Sequence, residues 1–418
     1  MGKLHGKLLV GQSGGCTPVL NASLQGVVEE ARRHAKITAI WGARHGIEGL
    51  LRGEILNLRA ESWARWTRIG RTPAAALGSC RRKISGSEAA RLALFLRKND
   101  VLYFLYIGGN DSADTAHLLA MAARRAHCEL RVVLVPKTID NDLPFTDHSP
   151  GFGSVARFLA SAVADVGMET EAMRTVEPVR IIEVMGRNAG WLAAASALAK
   201  RTEADAPQFV WPPEAPFSER RFLGLVRGWL ERIGYCVVVV AETVRARNDK
   251  PIAMKGRAET DSFGHPRLVG AGEYLCGLVQ ERLRVRARWD KPGSIQRMSS
   301  AHLSEVDLRE ARACGAQAVR FALKGASDCM VALRRKPGAR YAVVFRTVPL
   351  AKIANAEKAL PDGYFDRGAM LPTPEFRRYA LPLVGPGLPE HARLAAAPQH
   401  LDGCARRPGT PNSQPLPA

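Results

Sequence analysis

Aromatic residues make up only 6% of this 418-residue chain, and no apolar run approaches the ~18 to 20 residues that a bilayer-spanning helix needs. The first scarcity argues against a stacking platform for single-stranded nucleic acid, and the second excludes a membrane protein. CxxC pairs are lacking, and the eight cysteines, at 16, 80, 128, 236, 276, 314, 329 and 404, show no zinc-ligand spacing. They read as reduced thiols of a cytosolic protein. After Met1-Gly-Lys-Leu-His-Gly-Lys7 only a few apolar residues precede Gly11-Gln12-Ser13, so a signal peptide is absent and a cytoplasmic location is expected. Lysine is sparse among the basic residues, 14 against 46 arginines, yet 60 basic residues outnumber 40 acidic ones for a net charge of +20. That excess suits nucleic acid or a small polyanionic substrate, and the arginine bias is equally a coding bias.

What is present is a chain with 46% hydrophobic and 24% charged residues, long enough for roughly two or three domains. Short β-rich runs alternate with helical ones. Strands are expected at Lys7–Val10, Ile37–Trp41, Val101–Ile107, Leu130–Val135, Val179–Val184 and Cys236–Ala241. Helices are expected at Asn21–His34, Ser87–Lys98, Ser112–Ala126, Gly153–Met168, Ala189–Lys200 and Glu219–Ile233. Repeated βα units build doubly wound parallel sheets, here two α/β lobes, and ligands bind such sheets at the carboxyl ends of strands. Beyond about residue 372 the chain turns Pro-rich, and Arg406–Ala418 reads as a disordered tail.

Several strand-end loops carry chemistry. Gly11-Gln-Ser-Gly-Gly-Cys-Thr-Pro18 is a glycine-rich turn before a helix, suited to an anion or simply a tight turn. Gly108-Gly-Asn-Asp-Ser112 fits a phosphate-plus-magnesium site, with Asp111 toward a cation and Ser112 capping the helix; Asp111 is otherwise a neighbour of the N-cap. Pro136-Lys-Thr-Ile-Asp-Asn-Asp142 offers Lys137 as a point charge, and Asp140 and Asp142, two apart, on one side of an extended loop. Such a pair can divide base and metal or orienting roles. Glu183-Val-Met-Gly-Arg-Asn-Ala-Gly190, Ala241-Glu242, Arg288, Lys291-Pro-Gly-Ser-Ile-Gln-Arg297 and Leu77-Gly-Ser-Cys-Arg81 add strand-end arginines and acids.

In this order and spacing, over about residues 8 to 297, these motifs resemble the phosphofructokinase family. The resemblance implies two phosphofructokinase-like lobes with the active site in the cleft between them. Residues 1–147 would form the phosphoryl-donor lobe and 148–290 the sugar-phosphate lobe, with 291–371 returning to the first lobe and completing it, and 372–418 a C-terminal extension. It implies Asp140 as general base, with Asp111 and Lys137 beside the reacting phosphate. Gly14, Arg81, Gly109 and Ser112 would hold the donor. Thr138, Ile139, Asp140, Asp142, Met185, Gly186, Arg187, Glu242, Ser294 and Arg297 would hold the sugar phosphate, with Arg288 reaching in from a neighbouring subunit. ATP-using members have Gly where this chain has Asp111 and Lys137, so the chain resembles the pyrophosphate-dependent branch. The expected activity is reversible phosphoryl transfer from pyrophosphate to fructose 6-phosphate in a Mg2+-dependent homodimer or homotetramer. The rivals are an ATP-dependent enzyme, another sugar phosphate such as sedoheptulose 7-phosphate, and, from a different class, a basic nucleic-acid-binding protein; neither nucleic acid nor membrane is an expected partner.

The chain departs from the family pattern at three places. Asn110 stands where an acid is usual, leaving the metal to Asp111, pyrophosphate oxygens and water. The first loop, Gly14-Gly-Cys-Thr-Pro-Val, lacks the usual Asp and the Gly after Pro. Pro178 replaces an intersubunit Arg of the ATP-using bacterial enzymes, which argues against their allosteric tetramer.

Overall fold

In a computed structural model of the chain, residues 5–246, 248, 250–253, 270–338 and 340–395 are described. The tail expected at Arg406–Ala418 lies outside them. A seven-stranded sheet has β1 (Gly6–Gln12), β2 (Ile37–Ala43), β3 (Ile55–Asn57), β4 (Val101–Gly108) and β5 (Arg131–Pro136). A four-stranded sheet follows from β6 (Val179–Val184), β7 (Phe209–Trp211), β8 (Cys236–Ala241) and β9 (Ala287–Asp290). The chain then returns to the first sheet with β10 (Cys329–Arg335) and β11 (Val343–Pro349). The strand orders are β11-β10-β5-β4-β1-β2-β3 and β7-β8-β6-β9. Within these two sheets pairing is parallel except at the two edges of the large one, β2–β3 and β10–β11.

Central strands of a parallel sheet are covered on both faces, so they read as continuous apolar runs. In β1, Leu8 and Val10 enter the cluster under the helices Leu20–Arg32 and Glu305–Leu323, whereas Leu9 enters the opposite cluster under Gly86–Lys98 and Asn110–Arg125. The first helix pair packs backbone to backbone. A Cβ on Gly26 would stand 1.9 Å from Arg312 O and one on Gly315 2.0 Å from Ser23 O, so only glycine allows this approach. The smaller sheet is buried against the helix Phe152–Ala172, with Trp191, Phe209, Phe222, Phe376 and Tyr379 in one cluster.

Two local expectations are corrected. The helix expected over Ala189–Lys200 is regular only from Trp191 to Ala195. Beyond it the bonds tighten to the third residue back, as in Ala197 N to Ala194 O and Leu198 N to Ala195 O, while Ser196 Oγ donates to Ala193 O at 2.6 Å and competes for the same carbonyls. The helix after β4 starts at Asn110 with Gly109 as N-cap, so Ser112 is not the cap. The first helical bond is Ala113 N to Gly109 O, and the Ser112 hydroxyl instead packs where a Cβ on Gly108 would fall. The segment after 372 opens with a helix, Pro374–Val384, capped by Thr373 and buried through Phe376, Tyr379 and Leu383.

Candidate active site

The loop after β1 is bare backbone surrounded by cations. Gly14 takes a left-handed φ of 78°, its N–H donates to Cys80 O at 2.9 Å and its carbonyl accepts from Ser79 Oγ at 2.7 Å. These bonds join it to the Leu77–Arg81 loop, which is braced from below: Leu77 N donates to Gln12 Oε1 at 2.9 Å and Ala76 N to Asn21 Oδ1 at 2.8 Å. A Cβ on Gly15 would stand 2.7 Å from Arg297 Nη1 and 3.5 Å from Arg81 Nη2, and one on Gly14 2.9 Å from Lys137 Nζ. Lys137 is buried, with 4% of its surface exposed, and its Nζ donates to Gly15 O at 2.8 Å. Desolvation lowers its pKa to about 8, and Arg81 and Arg297 push the same way. Arg297 is itself lowered, first by burial and then by Arg81, and its Nε is buried without a partner among the described residues. Crowded cations around a glycine loop, one with an unmade donor, are chemically suited to act as a receptor for a compact polyanion.

The β4 and β5 loops face each other across this receptor. Asp111, in the first turn of its helix, pairs with Lys83 at 3.1 Å, and this lysine was not anticipated in the sequence because it lies two residues past the Arg81 motif. Asn110 Nδ2 donates to Asp142 Oδ2 at 3.0 Å, while Oδ1 of both residues is buried without a partner among the described residues. Among the described residues no group of three or more His, Cys, Asp or Glu gathers as for a metal ion. Magnesium needs less from a protein, since it is commonly held by one or two carboxylates with water and substrate phosphate completing the shell. Asp111 and the unpartnered Asn110 Oδ1 are donors of that kind.

Asp140 is turned by its own loop, its N–H donating to Thr138 Oγ1 at 3.1 Å. Burial raises its pKa, with Glu242 as the second cause, and the opposing influences are Arg187, Lys137 and Arg297. Asp142 is raised as well, by burial and then by Asp140. Two neighbouring carboxylates resist ionising together, and this pair sits where residues from both sheets meet: Lys137 follows β5, Arg187 follows β6 and Glu242 follows β8.

On the side of the smaller sheet, Gly186 (φ 137°) and Arg187 (φ 45°) make a strained turn. Arg187 N donates to Glu242 Oε1 at 3.3 Å, and Met185 N to Gln296 Oε1 at 3.2 Å. Gln296, which its motif contains without a role being assigned to it, joins the β6 turn to the short helix Gly293–Arg297 and so aims Arg297 across the cleft. Ser294 lies exposed in that helix, 3.5 Å from Arg297 Nη2, and Ile139 is buried in the cluster of the smaller sheet. Arg288 does not join the group within one chain. It stands on the edge strand β9, its side chain 59% exposed and paired with Glu177 at 2.5 Å. It lines a cavity of about 1000 Å³ together with Arg180, Tyr274 and Trp289.

Residues 7–322 match the family model described as Phosphofructokinase. The chain is 40% identical over 405 residues to a pyrophosphate–fructose 6-phosphate 1-phosphotransferase of Xanthomonas campestris pv. campestris (strain B100), covering 93% of this chain and 96% of the relative. It is 38% identical over 399 residues to a protein of the same name from Halomonas elongata, covering 92% and 95%. The crystal structure of a pyrophosphate-dependent phosphofructokinase from Nitrosospira multiformis superimposes with a TM-score of 0.83 at 33% identity, over 96% of this chain and 100% of that one.

Proposed function

The chain belongs to the phosphofructokinase family, and we propose that it transfers a phosphoryl group from pyrophosphate to the 1-hydroxyl of fructose 6-phosphate, reversibly, yielding fructose 1,6-bisphosphate and phosphate. The observation that carries the choice of donor is the buried Lys137 ammonium against the Gly14–Gly15 backbone, with Arg81 beside Gly15: a charged lining for a short inorganic chain of phosphates. Asp140 takes the proton of the sugar 1-hydroxyl, the freed oxygen attacks the near phosphorus of pyrophosphate, and the bridging bond breaks toward the leaving phosphate. Lys137 and Arg81 neutralise charge on the moving group. Arg187, Glu242 and the Met185–Gly186 turn hold the sugar phosphate, and Thr138 and Asp142 hold the loop of the base. Magnesium, held by Asp111 and Asn110 Oδ1, would supply charge neutralisation on the pyrophosphate oxygens.

The direct test is product formation from fructose 6-phosphate with pyrophosphate or ATP at equal magnesium. Pyrophosphate should support turnover and ATP little. Equal use of both would make this an ATP-type enzyme, and a preference for sedoheptulose 7-phosphate would move the acceptor while keeping the donor.

The pH profile should be displaced at both ends. Asp140 must be ionised to act, and its pKa is raised, so kcat/KM falls on the acid side well above the ~4 of an ordinary aspartate. Lys137 must be charged, and its pKa is lowered to about 8, so the basic limb begins near there instead of above 10. Lys137→Met should abolish the basic limb in kcat/KM for pyrophosphate; a limb that persists unchanged assigns it to another group.

Arg297 and Arg288 are assigned to the 6-phosphate from two subunits of a homo-oligomer. A guanidinium contact with phosphate contributes about 1.5 to 3 kcal/mol, so replacing either by Ala should raise the KM for fructose 6-phosphate roughly ten- to a hundredfold. The exposure of Arg288 on an edge strand supports its entry into a neighbour's cleft. Mixing Arg288→Ala chains with Asp140→Asn chains should then recover part of the lost activity, because a mixed oligomer contains an intact site. No recovery after demonstrated subunit exchange would remove Arg288 from the neighbour's pocket.

A further inference from the structure

We infer that Tyr379, on the helix Pro374–Val384 near the far end of the chain, is a positioning residue for Asp140 and acts through Asn141. Asn141 separates the two carboxylates of the loop, is wholly buried and holds a left-handed φ of 58°. Both ends of its amide are used: Oδ1 accepts from Ser149 N at 2.9 Å, and Nδ2 donates to Tyr379 Oη at 2.9 Å. The same Oη lies 2.8 Å from Asp147 O. A carbonyl can only accept, so the phenol proton goes to Asp147 O and its lone pair faces Asn141. The hydroxyl therefore has one orientation, and it ties together the two ends of the 141–147 turn.

The ring cannot readily move away from that place. The Arg335 guanidinium lies 4.8 Å over it while donating to Tyr379 O at 3.0 Å and to Asp147 Oδ1 at 3.1 Å. Trp191 and Tyr364 pack beside it at centroid distances of 5.4 and 5.3 Å. Lys358 adds a second hold from the C-terminal third of the chain. Its backbone N–H donates to Asp142 O at 2.7 Å, and its Nζ to Thr146 O at 3.1 Å and Asp147 O at 2.9 Å. The loop bearing the base is thus fixed from residues more than two hundred positions later in sequence.

A left-handed residue next to the base decides where the Asp140 carboxylate points, because a change in its backbone swings the neighbouring side chains. Misplacing a reacting group by about 1 Å costs on the order of a hundredfold in rate. Tyr379 touches neither substrate nor Asp140, so its removal should appear in turnover and not in binding.

The inference rests on the reading of Asp140 as base, and the test separates the two. Tyr379→Phe should lower kcat about tenfold, with the KM values for pyrophosphate and fructose 6-phosphate within twofold of the parent. Asn141→Gly keeps the left-handed backbone without the side chain and should lower kcat at least as far, and the double variant should fall no further than Asn141→Gly alone. Tyr341→Phe removes a half-buried hydroxyl that donates to Glu310 at 2.8 Å and not to Asn141, and should leave kcat within twofold even where it lowers Tm. Independently of any activity, amide hydrogen exchange across residues 137–149 should rise in Tyr379→Phe and not in Tyr341→Phe. A Tyr379→Phe enzyme with parental kcat and parental exchange, or effects of the two substitutions that multiply, would overturn the inference. Inactivity of the parent with pyrophosphate would instead overturn the proposed function and leave the exchange comparison to decide this one.

Discussion

Replacing Asp140 by Asn should cut turnover by about 10² to 10⁴, the range that a positioned general base contributes. The substitution keeps the size of the side chain, and the loop turn survives because it is set by the backbone N–H of Asp140 on Thr138 Oγ1 and not by the carboxylate. Binding of fructose 6-phosphate should persist, since Arg187, Glu242 and Arg297 come from other loops. Stability gives a second reading of the same change. The Asp140 pKa is raised in the folded protein, so the ionised carboxylate opposes folding at pH values above its ordinary titration range. The sign is therefore positive at pH 7: the Asn variant should unfold at the same or a higher temperature, whereas a damaged fold would lower it. A variant with parental turnover would shift the base to another group, Asp142 first.

The alternation of apolar and helical segments made the core of both sheets legible, because buried parallel strands such as Cys236–Ala241 are continuous apolar runs bounded by turns. The edges were not legible in the same way. Strands β3 and β9 carry exposed residues and β7 has only three, so neither length nor alternation marked them. The site divides similarly. Residues in glycine-rich strand ends, Gly14, Lys137, Asp140 and Arg187, stand out because the loop chemistry is local. Lys83, Gln296, Lys358 and Tyr379 do not, since each matters through a partner distant in sequence: Lys83 meets Asp111, Gln296 meets Met185, and the last two meet the 140–147 turn. Asn110 lies between these cases. As a missing acid it bears on the metal, and the hydrogen bond from its side-chain amide to Asp142 gives it a defined part in joining the β4 and β5 loops.

The donor preference should shift when Lys137 and Asp111 are both replaced by Gly. Lys137 is a buried cation on the floor of the receptor, and a charge-assisted bond to phosphate is worth about 1.5 to 3 kcal/mol, so its loss alone should lower kcat/KM for pyrophosphate by roughly ten- to a hundredfold. Removing its side chain also vacates the space next to Gly14, where Nζ now stands 2.9 Å from the site of a Cβ. Asp111, besides holding magnesium in the proposed site, would act by exclusion. On the proposed reading its carboxylate, held by Lys83 at 3.1 Å, would repel the additional phosphate of ATP, and Gly there would remove the repulsion and free the Lys83 ammonium. Gly within the first helical turn costs about 0.5 to 1 kcal/mol of local stability, too little to unfold the chain. The ratio of kcat/KM for ATP to that for pyrophosphate should therefore rise by at least a hundredfold, most of it from the loss of pyrophosphate use and the remainder from ATP gained. The single variants separate the two contributions: Lys137→Gly should mainly lower pyrophosphate use, and Asp111→Gly should raise the ratio of ATP to pyrophosphate use while lowering turnover with both donors through the lost metal ligand. A double variant that loses both donors in equal proportion would mean that these side chains support phosphoryl transfer in general and do not choose between donors.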